Sequence, residues 1–293
     1  MAKTVVITGT STGIGRAAVE RMAAEGWTVY AGVRKEADGD QLRAEVAGDV
    51  RPVLIDVTNR DQIAALTALL TDELGTRGLD ALVNNAGVAQ GGSVETTSED
   101  DWRWHFDVNV FGLVNLTREL FPLLRAGKGR VVNVASIAGR IAAPMMAPYS
   151  AGKHAVEAIS ESLRFEVEDF GMHVSCVEPG EIATAIWAKG DEQMAQVMAT
   201  MDPAAVERYG RHVDMLYGFL ADGAKRGIPA SRVADAIHHA LTASRPKHRY
   251  LVGPDAKLVG VVSRLPDRLR KRMLAVNLLR WERAGRKLRR AAG

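Results

Sequence analysis

Short runs of β-branched and apolar residues alternate along this chain with longer helix-like stretches, and that alternation limits the fold more than any other feature. The runs are TVVIT at 4–8, WTVYAGV at 27–33, VLID at 53–56, LDALVN at 79–84, RVVNV at 130–134, MHVSCV at 172–177 and HRYLVG at 248–253. Such a pattern predicts strand–helix–strand units whose crossovers set the strands parallel. The runs are apolar on both faces, as a sheet covered by helices on both sides requires. The expected fold class is therefore α/β, a doubly wound parallel sheet of about seven strands with helices on both faces, plus a C-terminal helical tail. Longer helices are expected from about Ser98 and near Pro148. No Ser/Pro-rich linker or internal repeat divides the chain, so residues 1–255 read as one domain and 256–293 as a basic amphipathic tail.

Charge is distributed unevenly. From Arg264 onward there are eleven Lys or Arg against two acidic residues, a charge of +9, while the remainder, with 27 basic and 33 acidic residues, carries −6. An acidic body with only 5% aromatic residues argues against a nucleic-acid partner. The single Cys176 forbids an internal disulfide and, inside HVSCV, reads as an inert buried thiol; a reducing, cytoplasmic setting is expected. The opening MAKTVVITGT is too short in apolar residues for a signal-peptide core, and no run reaches the roughly 18 apolar residues of a spanning helix.

The first strand runs into Thr8-Gly9-Thr10-Ser11-Thr12-Gly13-Ile14-Gly15, and a helix opens directly after it. Glycines admit a pyrophosphate close to the backbone, and the helix N-terminus offers unpaired N–H groups to its charge. The spacing G-x-x-x-G-x-G differs from the G-x-G-x-x-G dinucleotide fingerprint and from the Lys-Ser/Thr phosphate loop of nucleotide triphosphatases. At the end of the second strand, where a carboxylate would take a ribose 2′-hydroxyl, the chain has Val33 and then Arg34. A guanidinium there suits a 2′-phosphate, which favours NADP(H) over NAD(H), although Glu36 and Asp38 lie close by.

Three further segments complete a pattern: Asn84-Asn85-Ala86-Gly87 after the fourth strand, Ser136 after the fifth, and Tyr149-Ser150-Ala151-Gly152-Lys153 opening the next helix. Tyr149 and Lys153, at i and i+4, share one helix face. A phenol with an ordinary pKa of about 10 needs a nearby cation to act as an acid/base near neutrality, and Lys153 supplies one. In order and spacing, including Ser136 thirteen residues before Tyr149, residues 4–253 resemble the classical short-chain dehydrogenase/reductase family. The resemblance implies a Rossmann-type sheet and an oxidoreductase acting on CH–OH donors with NAD(P), in which Ser136 hydrogen-bonds the substrate oxygen, Tyr149 transfers its proton and Lys153 also holds the nicotinamide ribose. Asn109, in DVNVFG, matches the position that helps hold a water in the proton relay; its structural alternative is a buried Asn capping a helix irregularity. By position the resemblance adds Gly9, Ser11, Thr12, Gly13, Ile14, Gly15, Asp56, Val57, Asn85, Ala86 and Gly87 as cofactor contacts. It also adds Pro179, Gly180, Ile182 and Thr184, which would meet the nicotinamide carboxamide, and a substrate lid over about 181–230.

The segments that would enclose the substrate are rich in Met: Ile137, Met145 and Met146 in one, and Ile186, Trp187, Met194, Met198, Met201 and Met215 in the other. Met145, Met146 and Trp187, with Ser136 and Tyr149, are the substrate contacts expected, though helical spacing at 194, 198 and 201 equally suits a plain core face. VYAGVR and RYLVGPDAK resemble the retinol and 17β-hydroxysteroid dehydrogenase branch, which implies a lipophilic ketone, aldehyde or alcohol as substrate and a homodimer or homotetramer. The alternatives are an NAD-dependent dehydrogenase of a small polar alcohol and a non-catalytic NADP(H) sensor. In the tail, Leu265, Leu269, Met273, Val276 and Leu279 form one helical stripe ringed by arginines and lysines. Packing against the body or a sister subunit is the favoured use of that stripe, and docking on an anionic membrane surface the other. A serine hydrolase would need G-x-S-x-G, which Ser136 lacks, and no Cys/His spacing suits zinc, so no metal is expected.

Overall fold

A computed structural model describes residues 2–183, 198 and 201–292. In chain order it contains β1 (Thr4–Thr8), α1 (Gly13–Ala24), β2 (Thr28–Val33), α2 (Glu36–Glu45), β3 (Val50–Leu54), α3 (Arg60–Leu74), β4 (Ala81–Asn84), α4 (Glu99–Phe106), α5 (Gly112–Ala126), β5 (Arg130–Val134), α6 (Ala147–Glu166) and β6 (His173–Pro179). There follow a short pair, β7 (Ile182–Ala183) and β8 (Ile228–Pro229), with α7 (Pro203–Arg226) between them, then α8 (Ser231–Thr242), β9 (Arg249–Val252), α9 (Pro254–Val262) and α10 (Asp267–Ala292).

Seven strands form one parallel sheet in the order β3-β2-β1-β4-β5-β6-β9. Strand order reverses between β1 and β4, so the loops at their carboxyl ends diverge and open a crevice. Alternate residues face opposite layers, as the two-residue period of a strand demands. Val5, Ile7, Val29, Ala31, Val83 and Val132 pack toward α1 and α8, and Val6, Tyr30, Leu82 and Val131 toward α3 and α5. Inside the second layer Asn84 donates to Thr117 (3.0 Å) and Asn133 (2.9 Å), and Asn133 donates to Ser160 (2.9 Å), tying β4 and β5 to α5 and α6. A buried network of this kind holds register because each lost partner strands a polar atom.

The third strand is Val50–Leu54, earlier than the 53–56 expected. It lies at the sheet edge, where Pro52 needs no donor on its open side and Arg51 reaches solvent. Apolar patterning missed it because edge residues need not be apolar.

The tail helix α10 lies along α7. Their backbones meet at glycines, where a Cβ on Gly218 would strike the Trp281 carbonyl and one on Gly285 the Asp214 carbonyl. Asp214 binds Arg289 (2.9 Å), Asp222 binds Arg280, and Arg211 binds Glu282 (2.7 Å). The face that packs carries Leu274, Leu278 and Trp281 toward the crevice, so the tail does meet the body, but not through the stripe expected. Leu269, Met273, Val276 and Leu279 stay exposed on the opposite side. One amphipathic stripe is visible in a sequence, whereas a second contact built on glycine and Trp is not.

Candidate active site

One crevice of about 550 Å³ runs from the glycine loop to the tail helix. At its first end Gly9 (φ +67°) and Gly13 (φ +60°) adopt left-handed conformations, which bend the loop without a Cβ penalty. A side chain on Gly15 would strike the Gly9 carbonyl, so the helix can start only with glycine there. Asn85 holds the loop from beneath, its side-chain N–H donating to the Thr8 (2.9 Å) and Gly9 (3.0 Å) carbonyls, while the Thr8 hydroxyl accepts from the Asn85 and Ala86 amides. Thr12, the N-cap of α1, makes no side-chain capping bond, so the first-turn amides keep their donors for another acceptor. A pyrophosphate fits this cradle.

Arg34, Lys35, Asp38, Asp56 and Val57 line the crevice beside the loop. Burial opposes the charge of Asp56, but hydrogen bonds from the Thr58 hydroxyl (2.7 Å) and amide (2.9 Å) and the nearby Arg34 outweigh it and hold its pKa below the usual carboxylate range. Lys35 adds a second cation to this end, which the sequence pattern does not mark.

Ser136, Tyr149 and Lys153 meet at the middle of the crevice. Ser136 caps the turn after β5, its Oγ accepting from the Ala138 amide (3.1 Å), and stands close enough to Tyr149 to draw the phenol pKa down. Tyr149 and Lys153 project from the first turns of α6, which begins with Pro148 near its N-terminus. Burial pushes the Tyr149 phenol up from its ordinary value, and only the Ser136 hydrogen bond opposes it. Lys153 is 5% exposed, and burial draws its pKa down to about 8. Its Nζ donates to the Val134 carbonyl (2.9 Å) and stands 5.7 Å from the Tyr149 ring centre. Lys153 therefore braces the end of β5 with its ammonium beside the Tyr149 ring.

Asn109 sits in a π-helical turn, Asp107–Phe111, between α4 and α5. Its Oδ1 accepts from the Val88 amide (3.0 Å) and its Nδ2 donates to the Val88 carbonyl (2.9 Å). A Cβ on Gly87 would lie 2.9 Å from Asn109 Oδ1 and 3.6 Å from Lys153 Nζ, which places both side chains against Gly87. Asn109 thus ties the π-helical turn to the segment after β4, next to the lysine.

Pro179, Gly180 and Ile182 line the crevice, and the segment is anchored where the Glu181 amide donates to Asp255 on α9 (2.6 Å). Thr184, Ile186, Trp187 and Met194 lie outside the described residues. Met145 (φ +63°) joins a packed cluster with Met201, Val213 and Leu216, Met146 packs against that cluster and also lines the crevice, and Met215 is buried. The same crevice is also lined by Leu220 and Phe219 of α7, Val259 of α9, and Leu274, Leu278 and Trp281 of α10. Hydrophobic periodicity could not assign these, because a pocket wall and a helix contact share one pattern. Glu181 is the carboxylate among them; burial first, then Asp222 and Asp255, push it up to about 7 against the pull of Arg280 and Arg226.

Behind Lys153, Glu157, Cys176 and Glu178 crowd together, all buried. Arg140 forks onto Glu178, Arg249 approaches Glu157 (3.3 Å), and the Cys176 thiol donates to Glu157 (3.1 Å), so arginines already balance the carboxylates. Burial raises the Cys176 thiol well above its ordinary value, which suits an inert group.

A dinucleotide cradle at the sheet's switch point, opening onto a Ser-Tyr-Lys cluster, defines an NAD(P)-dependent oxidoreductase, and the chain belongs to the short chain dehydrogenase family, whose pattern it matches over residues 3–195. Among its relatives are an NADPH-dependent 3-dehydrocapnine reductase from Ornithobacterium rhinotracheale, 34% identical over 90% of this chain and 93% of that protein, and bovine (Bos taurus) 17-beta-hydroxysteroid dehydrogenase type 6, 38% identical over 91% and 86%. Mouse (Mus musculus) retinol dehydrogenase 7 is 34% identical over 87% and 82%, and together these place the chain in the retinol and steroid dehydrogenase branch. A Streptomyces avermitilis short-chain dehydrogenase structure superposes with a TM-score of 0.75 at 30% identity, covering 98% of each chain. Two Burkholderia structures follow. The B. phymatum protein, in complex with NAD, has a TM-score of 0.71 at 30% identity, covering 89% of this chain and 92% of that one; the B. cenocepacia protein, in complex with NADP, scores 0.69 at 28%, covering 95% and 98%.

Proposed function

We propose that the protein is an NADP(H)-preferring oxidoreductase of a lipophilic ketone, aldehyde or alcohol, with Ser136, Tyr149 and Lys153 as its chemical centre. The observation that carries this reading is the apolar lining of Phe219, Leu220, Leu274, Leu278 and Trp281 in the crevice that holds Tyr149. The names of the relatives, which act on steroid, retinol and capnine compounds, point the same way. A panel of aliphatic, steroidal and small polar ketones and alcohols, assayed with both cofactors, tests it; preference for a small polar substrate would overturn it.

In this reading the loop from Gly9 to Gly15, with Ser11, Thr12, Gly13 and Ile14, holds the pyrophosphate, Arg34 and Lys35 the 2′-phosphate, Asp56 and Val57 the adenine, and Asn85, Ala86, Gly87 and Lys153 the ribose. Pro179, Gly180, Ile182 and Thr184 face the carboxamide. NADP(H), when bound, supplies or accepts the hydride. Ser136 donates a hydrogen bond to the substrate oxygen, and the Tyr149 phenol delivers the proton to that oxygen in reduction or withdraws it in oxidation. Asn109 positions the segment beside Lys153 and holds a relay water. Residues 1–255 act as the catalytic domain, 181–230 as the lid over the substrate, and the working protein is a cytoplasmic homodimer or homotetramer.

Two predictions arise here. Replacing Arg34 with Ala raises KM for NADPH by about 10- to 100-fold, the value of a hydrogen bond to a charged group, and leaves KM for NADH nearly unchanged. A wild-type preference for NADH would reject the assignment. Secondly, burial draws the Lys153 pKa down to about 8, so kcat/KM for reduction falls as pH rises through that value and the cation is lost. Lys153→Arg stays charged at every accessible pH. That variant, whatever its absolute rate, lacks the descending limb near pH 8.

A further inference from the structure

The outer face of the tail helix is apolar, exposed and basic at once. Leu269, Met273, Val276 and Leu279 recur on one side of α10 and are 42–68% exposed. Val261 and Leu258 of the preceding helix α9 are also exposed, at 62% and 53%. On the same side of α10 stand Arg268, Arg272, Arg283 and Lys287, all exposed and without an ion-pair partner among the described residues. By contrast Arg280, Arg286 and Arg289 are engaged by Asp214, Asp222 and Glu282 in holding the helix to α7. No described helix is long and apolar enough to cross a membrane.

We infer that this face docks in the plane of an anionic lipid bilayer, with Leu269, Met273, Val276 and Leu279 entering the headgroup boundary and the four free cations meeting lipid phosphates. Amphipathic helices with apolar residues flanked by Lys and Arg bind such surfaces through buried apolar area plus attraction to anionic lipid. A second copy of the chain is a poorer occupant. Pairing two such faces would set Arg268, Arg272, Arg283 and Lys287 near like charges, and Asp267, the acid at the start of this helix, is already taken by Arg270 (2.6 Å). The opposite face of the same helix lines the crevice through Leu274, Leu278 and Trp281, so docking brings the substrate end against the bilayer. The inference rests on the exposed face and not on the substrate class.

Flotation of the full chain with phosphatidylcholine vesicles, and with vesicles also containing phosphatidylglycerol, tests it. The expected result is at least tenfold stronger binding to the anionic vesicles, weakened by added salt. The double variant Met273→Glu/Val276→Glu should lose vesicle binding while keeping its thermal midpoint and its turnover of a water-soluble ketone. Arg268→Gln/Arg272→Gln should lose the preference for anionic lipid, an effect that does not depend on the first variant folding. Wild-type protein that fails to float overturns the inference. So does a wild-type oligomer that the Glu variants split into monomers with no change in lipid binding, because the face would then be an interface between copies.

Discussion

Replacing Tyr149 with Phe is expected to lower kcat by about 10²–10⁴-fold while leaving the affinity for NADP(H) unchanged, as a loss of positioned proton transfer should. Phe fills the same volume on α6, so the Lys153 bond to the Val134 carbonyl and the glycine cradle persist. What disappears is the phenol hydroxyl beside Ser136. Because burial holds the Tyr149 phenol above its ordinary pKa, it starts as the neutral acid that reduction needs; oxidation requires the phenolate and should show the steeper pH dependence. Steady-state kinetics in both directions, with cofactor titrated by fluorescence, check the prediction. Near-normal kcat in the variant would remove Tyr149 from the mechanism.

Glu178→Ala is expected to destabilise the protein by about 3–5 kcal/mol, the cost of stranding a buried charge. Glu178 is 0% exposed at the end of β6, and Arg140 reaches it from the turn after Ser136. The pair thus joins the serine turn to the Pro179-Gly180 segment across two strands. For a chain of this size the thermal midpoint should fall by on the order of 10 °C, and kcat should fall as well because Ser136 loses its brace. Replacing both residues with apolar ones of similar volume should recover most of the midpoint and little of the kcat, since the charge is removed but the geometry is not restored. A single variant melting within about 2 °C of the wild type would show that Arg140 finds solvent instead.

Much of this protein was legible before any coordinates. The alternation of apolar runs announced the parallel sheet, because a strand covered on both faces must be apolar on both. The order of Gly9–Gly15, Asn85, Ser136, Tyr149 and Lys153 announced the site, because local spacing on loops and on one helix carries its chemistry. Arg34 was legible for the same reason, while its neighbour Lys35 was passed over. The edge strand was misplaced by a few residues because Arg51 and Pro52 answer to an open edge and not to a core.

Other features depend on distant segments arriving at one place. Nothing in VASIAGR shows that Arg140 will fork onto a carboxylate 38 residues away, or in EPGE that Glu181 will sit among Asp222 and Asp255. Met145 and Met146 are adjacent in sequence and both pack on the cluster of Met201, Val213 and Leu216, yet of the two it is Met146 that also lines the crevice. The tail is the clearest division between the two sources. Sequence alone determined that residues from about 264 form a basic amphipathic helix, since period and charge are local properties. Tertiary structure decided which face packs: Gly218 and Gly285 let two backbones approach where side chains would forbid it, so Trp281 turns toward the crevice and the apolar stripe is left facing outward.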